Sequence, residues 1–123
     1  MDKTSLIHLF CEEANEFIDS IKESLLLLEK DQEDMESLEN CFVKFHALKG
    51  NAGFLGFKQL SQICSSCETF FFDTKEGKRE LLITDVENLT IITNQVHSII
   101  DYISKNEKES DVNSEEVLRK ITN

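Results

Sequence analysis

The sequence predicts an all-α fold, an antiparallel up-down-up-down four-helix bundle, and three observations carry that prediction. Proline is absent and only four glycines occur in 123 residues, three of them between positions 50 and 56, so helix breakers are nearly missing elsewhere. Apolar residues recur at steps of three and four through four successive segments. Short polar stretches separate those segments, which makes sequential helices antiparallel neighbours. At this length a single core suffices to fold one domain without covalent staples.

In the first segment Ile7, Phe10, Ala14, Phe17, Ile21, Leu25 and Leu28 mark one face of a long helix. DQED, residues 31 to 34, interrupts the pattern. Met35, Leu38, Phe42, Phe45, Leu48, Ala52 and Leu55 then resume it as a second helix, with Gly56 as its C-terminal cap. Leu60, Ile63, Cys67 and Phe70 or Phe71 line a third, which ends toward TKEGKRE around Gly77. Thr84 and Glu87 have the spacing of a capping box ahead of Leu89, Ile92, Val96, Ile99 and Ile103 on a fourth. SKNEKESDVN, residues 104 to 113, reads as the end of that helix running into a linker. SEEVLRKI, residues 114 to 121, reads as a short fifth helix that needs docking to be stable. The bundle is therefore expected over residues 1–105, with a polar linker and short helix over 106–123.

A formal charge of −11, from 24 acidic and 13 basic residues, opposes phosphate backbones and anionic lipid surfaces, so neither nucleic acid nor membrane insertion is expected. No apolar run approaches the roughly 18 residues of a membrane span, and the expected location is the cytoplasm. Cys11, Cys41, Cys64 and Cys67 lie in apolar helical patterns and read as reduced packing residues.

The stretch HALKGNAGFLGF, residues 46 to 57, departs from this plain pattern. At about 100° per residue, with Phe45 at the centre of the core stripe, His46 falls at the stripe's edge, with Gly50 and Gly53 to either side of it. Val43, Ala47 and Phe54 project away from the core, where a solvated helix prefers charge. Two mid-helix glycines cost roughly 1 kcal/mol each relative to alanine. They suit either the close approach of another backbone to His46 or tight packing inside the bundle.

HALKGNAGFLGF followed by LSQICSSCE resembles the H-x-x-K-G signature and downstream glutamate of histidine-containing phosphotransfer domains, above all those at the N-terminus of chemotaxis-type histidine kinases. FCEEANEFIDSIKESLLLLE, residues 10 to 29, is similar to that group's first helix. The resemblance covers most of residues 5 to 105. It implies a four-helix bundle whose second helix carries a histidine that accepts and passes on a phosphoryl group. By position it implies His46 as the phosphoacceptor, Lys49 as the basic neighbour, Gly50 as the small residue facing the partner and Glu68 as the carboxylate on the imidazole. Two departures are visible: Ala47 stands where threonine is frequent, and Ser65 where the chemotaxis group often has a second histidine. Both are expected to tune reactivity and to leave the nucleophile in place.

The chemistry of the residues agrees. Histidine, with an ordinary pKa near 6.5, offers a lone pair near neutral pH without a separate base. A carboxylate on Nδ1–H fixes the tautomer so that Nε2 carries that lone pair. Glu68 lies at the edge of the third helix's stripe, where antiparallel packing brings it toward His46; read alone, it is an ordinary solvated glutamate. Lys49, one turn from His46, is placed to offset phosphoryl charge or to be a plain surface lysine. The glycines follow G-x-x-G-x-x-G, which is neither nucleotide-binding loop, and no strand precedes them. Expected partners are therefore a histidine kinase catalytic domain, on the same polypeptide or another, as donor and a receiver domain as acceptor. Val43, Ala47, Gly50, Gly53 and Phe54 form the partner surface. No cofactor or metal is expected, and the domain is expected to be a monomer.

Two other readings stand beside this one. Cys64-x-x-Cys67 has redox or zinc spacing, but lacks both a second ligand pair and a βαβ context. A helical adaptor would bind partners through Val43, Ala47 and Phe54 without chemistry. His8 and His97 lack lysine and glycine neighbours and read as structural or surface residues.

Overall fold

The computed structural model describes residues 2–121. Its elements are α1 (Lys3–Lys30), α2 (Met35–Phe54), α3 (Lys58–Lys75), α4 (Ile83–Asn106) and α5 (Ser114–Leu118). The four long helices form the expected bundle: α2 packs on α1 and α3, and α1 also packs on α4. Side-chain pairs give the direction. Glu39 meets Lys75, His46 meets Glu68 and Gly53 lies against Ser61, so numbers rise along α2 as they fall along α3. Asn40 to Ser24 and Asn51 to Glu13 show the same reversal between α1 and α2, and Thr4 to Glu107 and Cys11 to Ile100 show it between α1 and α4.

Helix ends are set by local chemistry. Asp2 accepts from the amide of Ser5 at 2.8 Å and Asp34 from that of Ser37 at 3.3 Å, each satisfying a free N–H of a first turn. At the end of α2, Gly56 takes φ +84°, the Gly56 amide donates to Gly53 O at 3.1 Å and the Phe57 amide to Ala52 O at 2.9 Å. This is a Schellman cap, and glycine supplies the left-handed conformation it needs. Phe57 is thereby turned into the core, with its ring 5.8 Å from that of Phe10. Gly77, at φ +74°, ends α3 in the same way.

The core seam of α1 runs through Ile7, Cys11, Ala14, Ile18, Ile21, Leu25 and Leu28, alternating steps of four and three. Some details differ from expectation. Ile18 is fully buried, while Phe17 flanks the seam half-buried, with Lys44 Nζ 5.6 Å from its ring. Met35, the first residue of its helix, is exposed beyond the end of the core. The start of α4 is set by Asp85, which accepts from the Leu82 amide at 2.9 Å, and not by Thr84 with Glu87. Burial of Leu81 and Val86 fixes that register, because it places Leu82 at the cap and Asp85 three residues on.

The polar stretch after α4 folds back onto α3. The Glu109 carboxylate accepts from the amides of Gln59 at 3.0 Å and Leu60 at 3.2 Å, capping a helix start that lacks a side-chain cap of its own. Ser114 donates through its amide to Gln59 and through its hydroxyl to Gln62, and Leu118 and Ile121 are buried. Docking supplies what five helical residues lack alone. No helix of the described residues is long and apolar enough to cross a membrane.

Candidate functional site

His46 stands at the edge of α2's buried face, one residue after the fully buried Phe45 and two before Leu48. Its side chain is 64% exposed, and Nδ1 lies 2.6 Å from Glu68 Oε1 across the α2–α3 seam. Glu68 is 13% exposed, and its second oxygen lies 2.5 Å from Lys49 Nζ. One carboxylate thus holds both residues that α2 presents, three positions apart on one face.

Burial pushes the Glu68 carboxyl up. The hydrogen bonds and charges of Lys49 and His46 outweigh that push, leaving it below its usual value of 4.5. Near neutral pH Glu68 is therefore an acceptor only, and Nδ1 must carry the proton that joins them. In the neutral ring the lone pair then lies on Nε2, on an imidazole open to solvent. Such a group can attack an electrophile held by another molecule.

The sequence-derived pair of His46 and Glu68 is brought together, and Lys49 joins it by gripping Glu68. Gly50 is exposed, with nothing within 4 Å of the place a Cβ would occupy. Gly53 has a different neighbour: a Cβ there would meet Ser61 Oγ at 3.3 Å, so this glycine admits α3. Ser61 also donates to Lys49 O at 3.0 Å, a contact that only the register between α2 and α3 reveals. Phe54 is 83% exposed, Val43 is exposed and Ala47 is half-buried beside the histidine. Phe42, read from sequence as a core residue, is half-buried and stacks on His46 with ring centroids 6.4 Å apart. Its position one turn before His46 was the available signal.

Other candidates sit elsewhere. A cleft of about 850 Å³ lies between the α1–α2 and α3–α4 turns, among Gln32, Leu38, Lys78 and Leu81, and does not take in His46. Cys64 and Cys67 are fully buried, and burial pushes the Cys64 thiol up to about 12 and that of Cys67 well above its usual value. Neutral thiols without solvent access do not cycle or bind metal readily. Among the described residues no group of three or more His, Cys, Asp or Glu is placed to hold a metal ion.

Known proteins are similar to this chain in sequence and in fold. The chain is 30% identical over 118 residues to the chemotaxis protein CheA of Salmonella typhimurium, an alignment covering 96% of this chain and 17% of that protein. It spans only 9–17% of the length of the curated relatives it matches. The CheA phosphotransferase domain from Thermotoga maritima superposes with a TM-score of 0.79 at 24% identity, over 84% of this chain and 98% of that one. The phosphorylated P1 domain of CheA3 in complex with CheY6 from R. sphaeroides superposes at 0.87 with 17% identity, over 95% and 92%. These two likenesses establish the fold. The model of the Hpt domain matches residues 5–106, from the first turn of α1 to the end of α4 and through His46, Lys49 and Glu68; the chain belongs to the Hpt domain family.

Proposed function

We propose that this domain is a phosphoryl carrier in two-component signalling of the chemotaxis type. His46 Nε2 attacks the γ-phosphorus of ATP held by a histidine kinase catalytic domain; the Nε2–P bond forms, the bond to the β–γ bridging oxygen breaks, and ADP leaves with that electron pair. In the second transfer a receiver aspartate attacks phosphorus, the P–Nε2 bond breaks, and its electrons return to the imidazole. One observation carries the reading: an exposed imidazole whose Nδ1 is held 2.6 Å from an ionised carboxylate, leaving Nε2 free.

Glu68 fixes the tautomer and supports the imidazolium-like charge of the transition state. Lys49 keeps Glu68 ionised and is the near cation for the bound phosphoryl group. Val43, Ala47, Gly50, Gly53 and Phe54 form the face on which partners dock. The phosphorylated relative in complex with CheY6 supports a receiver as the acceptor. The domain works in the cytoplasm as a monomer. The phosphotransfer unit is the four-helix bundle, and the segment after it, with its short helix, is an appendage docked on α3.

Incubation with a chemotaxis-type kinase catalytic domain and ATP, followed by mass analysis, is expected to locate an acid-labile adduct on His46. Label that persists in His46→Gln overturns the reading. If partner binding survives in that variant while the wild type never takes up phosphate, the domain is an adaptor.

A further inference from the structure

We propose that Phe42 is a positioning residue for His46, a platform locked in place by Phe72, Lys75 and Glu39. The proposal rests on His46 being the phosphoacceptor. A single hydrogen bond at Nδ1 leaves an imidazole free to pivot about that contact, and a ring this exposed has no wall to stop it. Phe42, one turn earlier on α2, supplies the second contact, with ring planes 29° apart at 6.4 Å.

Phe42 is itself held from α3. The Phe72 ring lies 5.8 Å away at 42°, and Lys75 Nζ lies 4.4 Å from the Phe42 centroid, within range of the ring's quadrupole. Lys75 is only 17% exposed and is ion-paired with Glu39. Glu39 and Phe42 are three apart on α2, and Phe72 and Lys75 are three apart on α3. The four therefore close a box across the seam one turn below the His46–Glu68 pair. Glu39 stops Lys75 from swinging to solvent, Lys75 and Phe72 fix the Phe42 ring, and Phe42 sets the plane of the imidazole. The direction of the Nε2 lone pair follows, and in-line attack on phosphorus depends on that direction.

The test uses the full chain and phosphoramidate, a small donor that removes partner docking from the measurement. Nε2 attacks its phosphorus, the P–N bond breaks, and ammonia leaves with the electron pair. Phe42→Leu is expected to lower the maximal labelling rate about tenfold with little change in the donor concentration giving half that rate. Phe42→Tyr, which keeps the ring, is expected to restore most of it. Lys75→Met is expected to lower the rate about threefold. Equal rates for wild type and Phe42→Leu, a loss confined to half-saturation, or an equal loss in Phe42→Tyr overturns the platform. Should Phe42→Leu lose its helical circular dichroism, Lys75→Met decides, and an unchanged rate there overturns the proposal. A wild type that takes no label, or label that persists in His46→Gln, instead removes the carrier reading.

Discussion

His46 and His97 are both exposed histidines on bundle helices, and both place Nδ1 near a side chain of a neighbouring helix. The partner is a carboxylate for His46, at 2.6 Å, and an ammonium for His97, whose Nδ1 lies 3.4 Å from Lys22 Nζ. A carboxylate only accepts and an ammonium only donates. In the neutral ring the proton therefore sits on Nδ1 of His46 and on Nε2 of His97. The first ring presents its lone pair to solvent; the second spends it on lysine. Exposure alone does not make a nucleophile, and the chemistry is set by what touches the other nitrogen.

The bluntest way to break this comparison is to exchange the two residues' fates. His46→Gln is expected to abolish the acid-labile adduct, and His97→Gln to leave the labelling rate within about twofold of wild type, since surface changes away from a site have small effects. Mass analysis after phosphorylation decides it. Removing only the partner at Nδ1 tests the cause: Glu68→Ala is expected to slow labelling about 10- to 100-fold, as loss of such outer partners does at metal sites, with helical circular dichroism intact. An unchanged rate would separate the tautomer from the reactivity.

A pH series sharpens the same point. The Glu68 carboxyl is held below 4.5, so its ionised form contributes stability that is fully present above that pH and is lost as the pH falls through the lowered value. The wild type's melting-temperature advantage over Glu68→Gln should stay level above pH 4.5 and shrink below it. A constant difference down to strong acid would mean the carboxylate gains nothing from its partners.

The smallest effects are expected at the glycines flanking His46. Gly50→Ala should stabilise by up to about 1 kcal/mol, because the new methyl meets open space and alanine favours helix. Gly53→Ala should gain less, since its methyl presses on Ser61 at 3.3 Å. Thermal melts of the two variants test this order. Gly50→Leu should keep stability while impairing transfer to a receiver, which separates a docking surface from a packing one.

The four long helices were legible because a period near 3.6 repeats over many turns and few breakers interrupt it. His46 and Glu68 were legible as border residues for the same reason. The hand that Lys49 lays on Glu68 was not, because it depends on the register between α2 and α3, which side chains set jointly and neither helix shows alone. Phe17 and Ile18 show the limit of projection: both lie near the seam of α1, and the alternation of fours and threes chose Ile18. Thr84 and Glu87 had the correct box spacing, yet burial of Leu81 moved the helix start so that Asp85 took the role. The cap that Glu109 places on α3 joins residues about fifty apart, beyond the reach of local pattern.

That last contact ties the C-terminal segment to the helix behind the site. Glu109 caps the first turn of the helix that also carries Glu68, so the segment after α4 and the carboxylate on the imidazole share one helix. A chain trimmed at residue 106 would keep every side chain around His46 and still lose the N-terminal cap of the helix that presents Glu68.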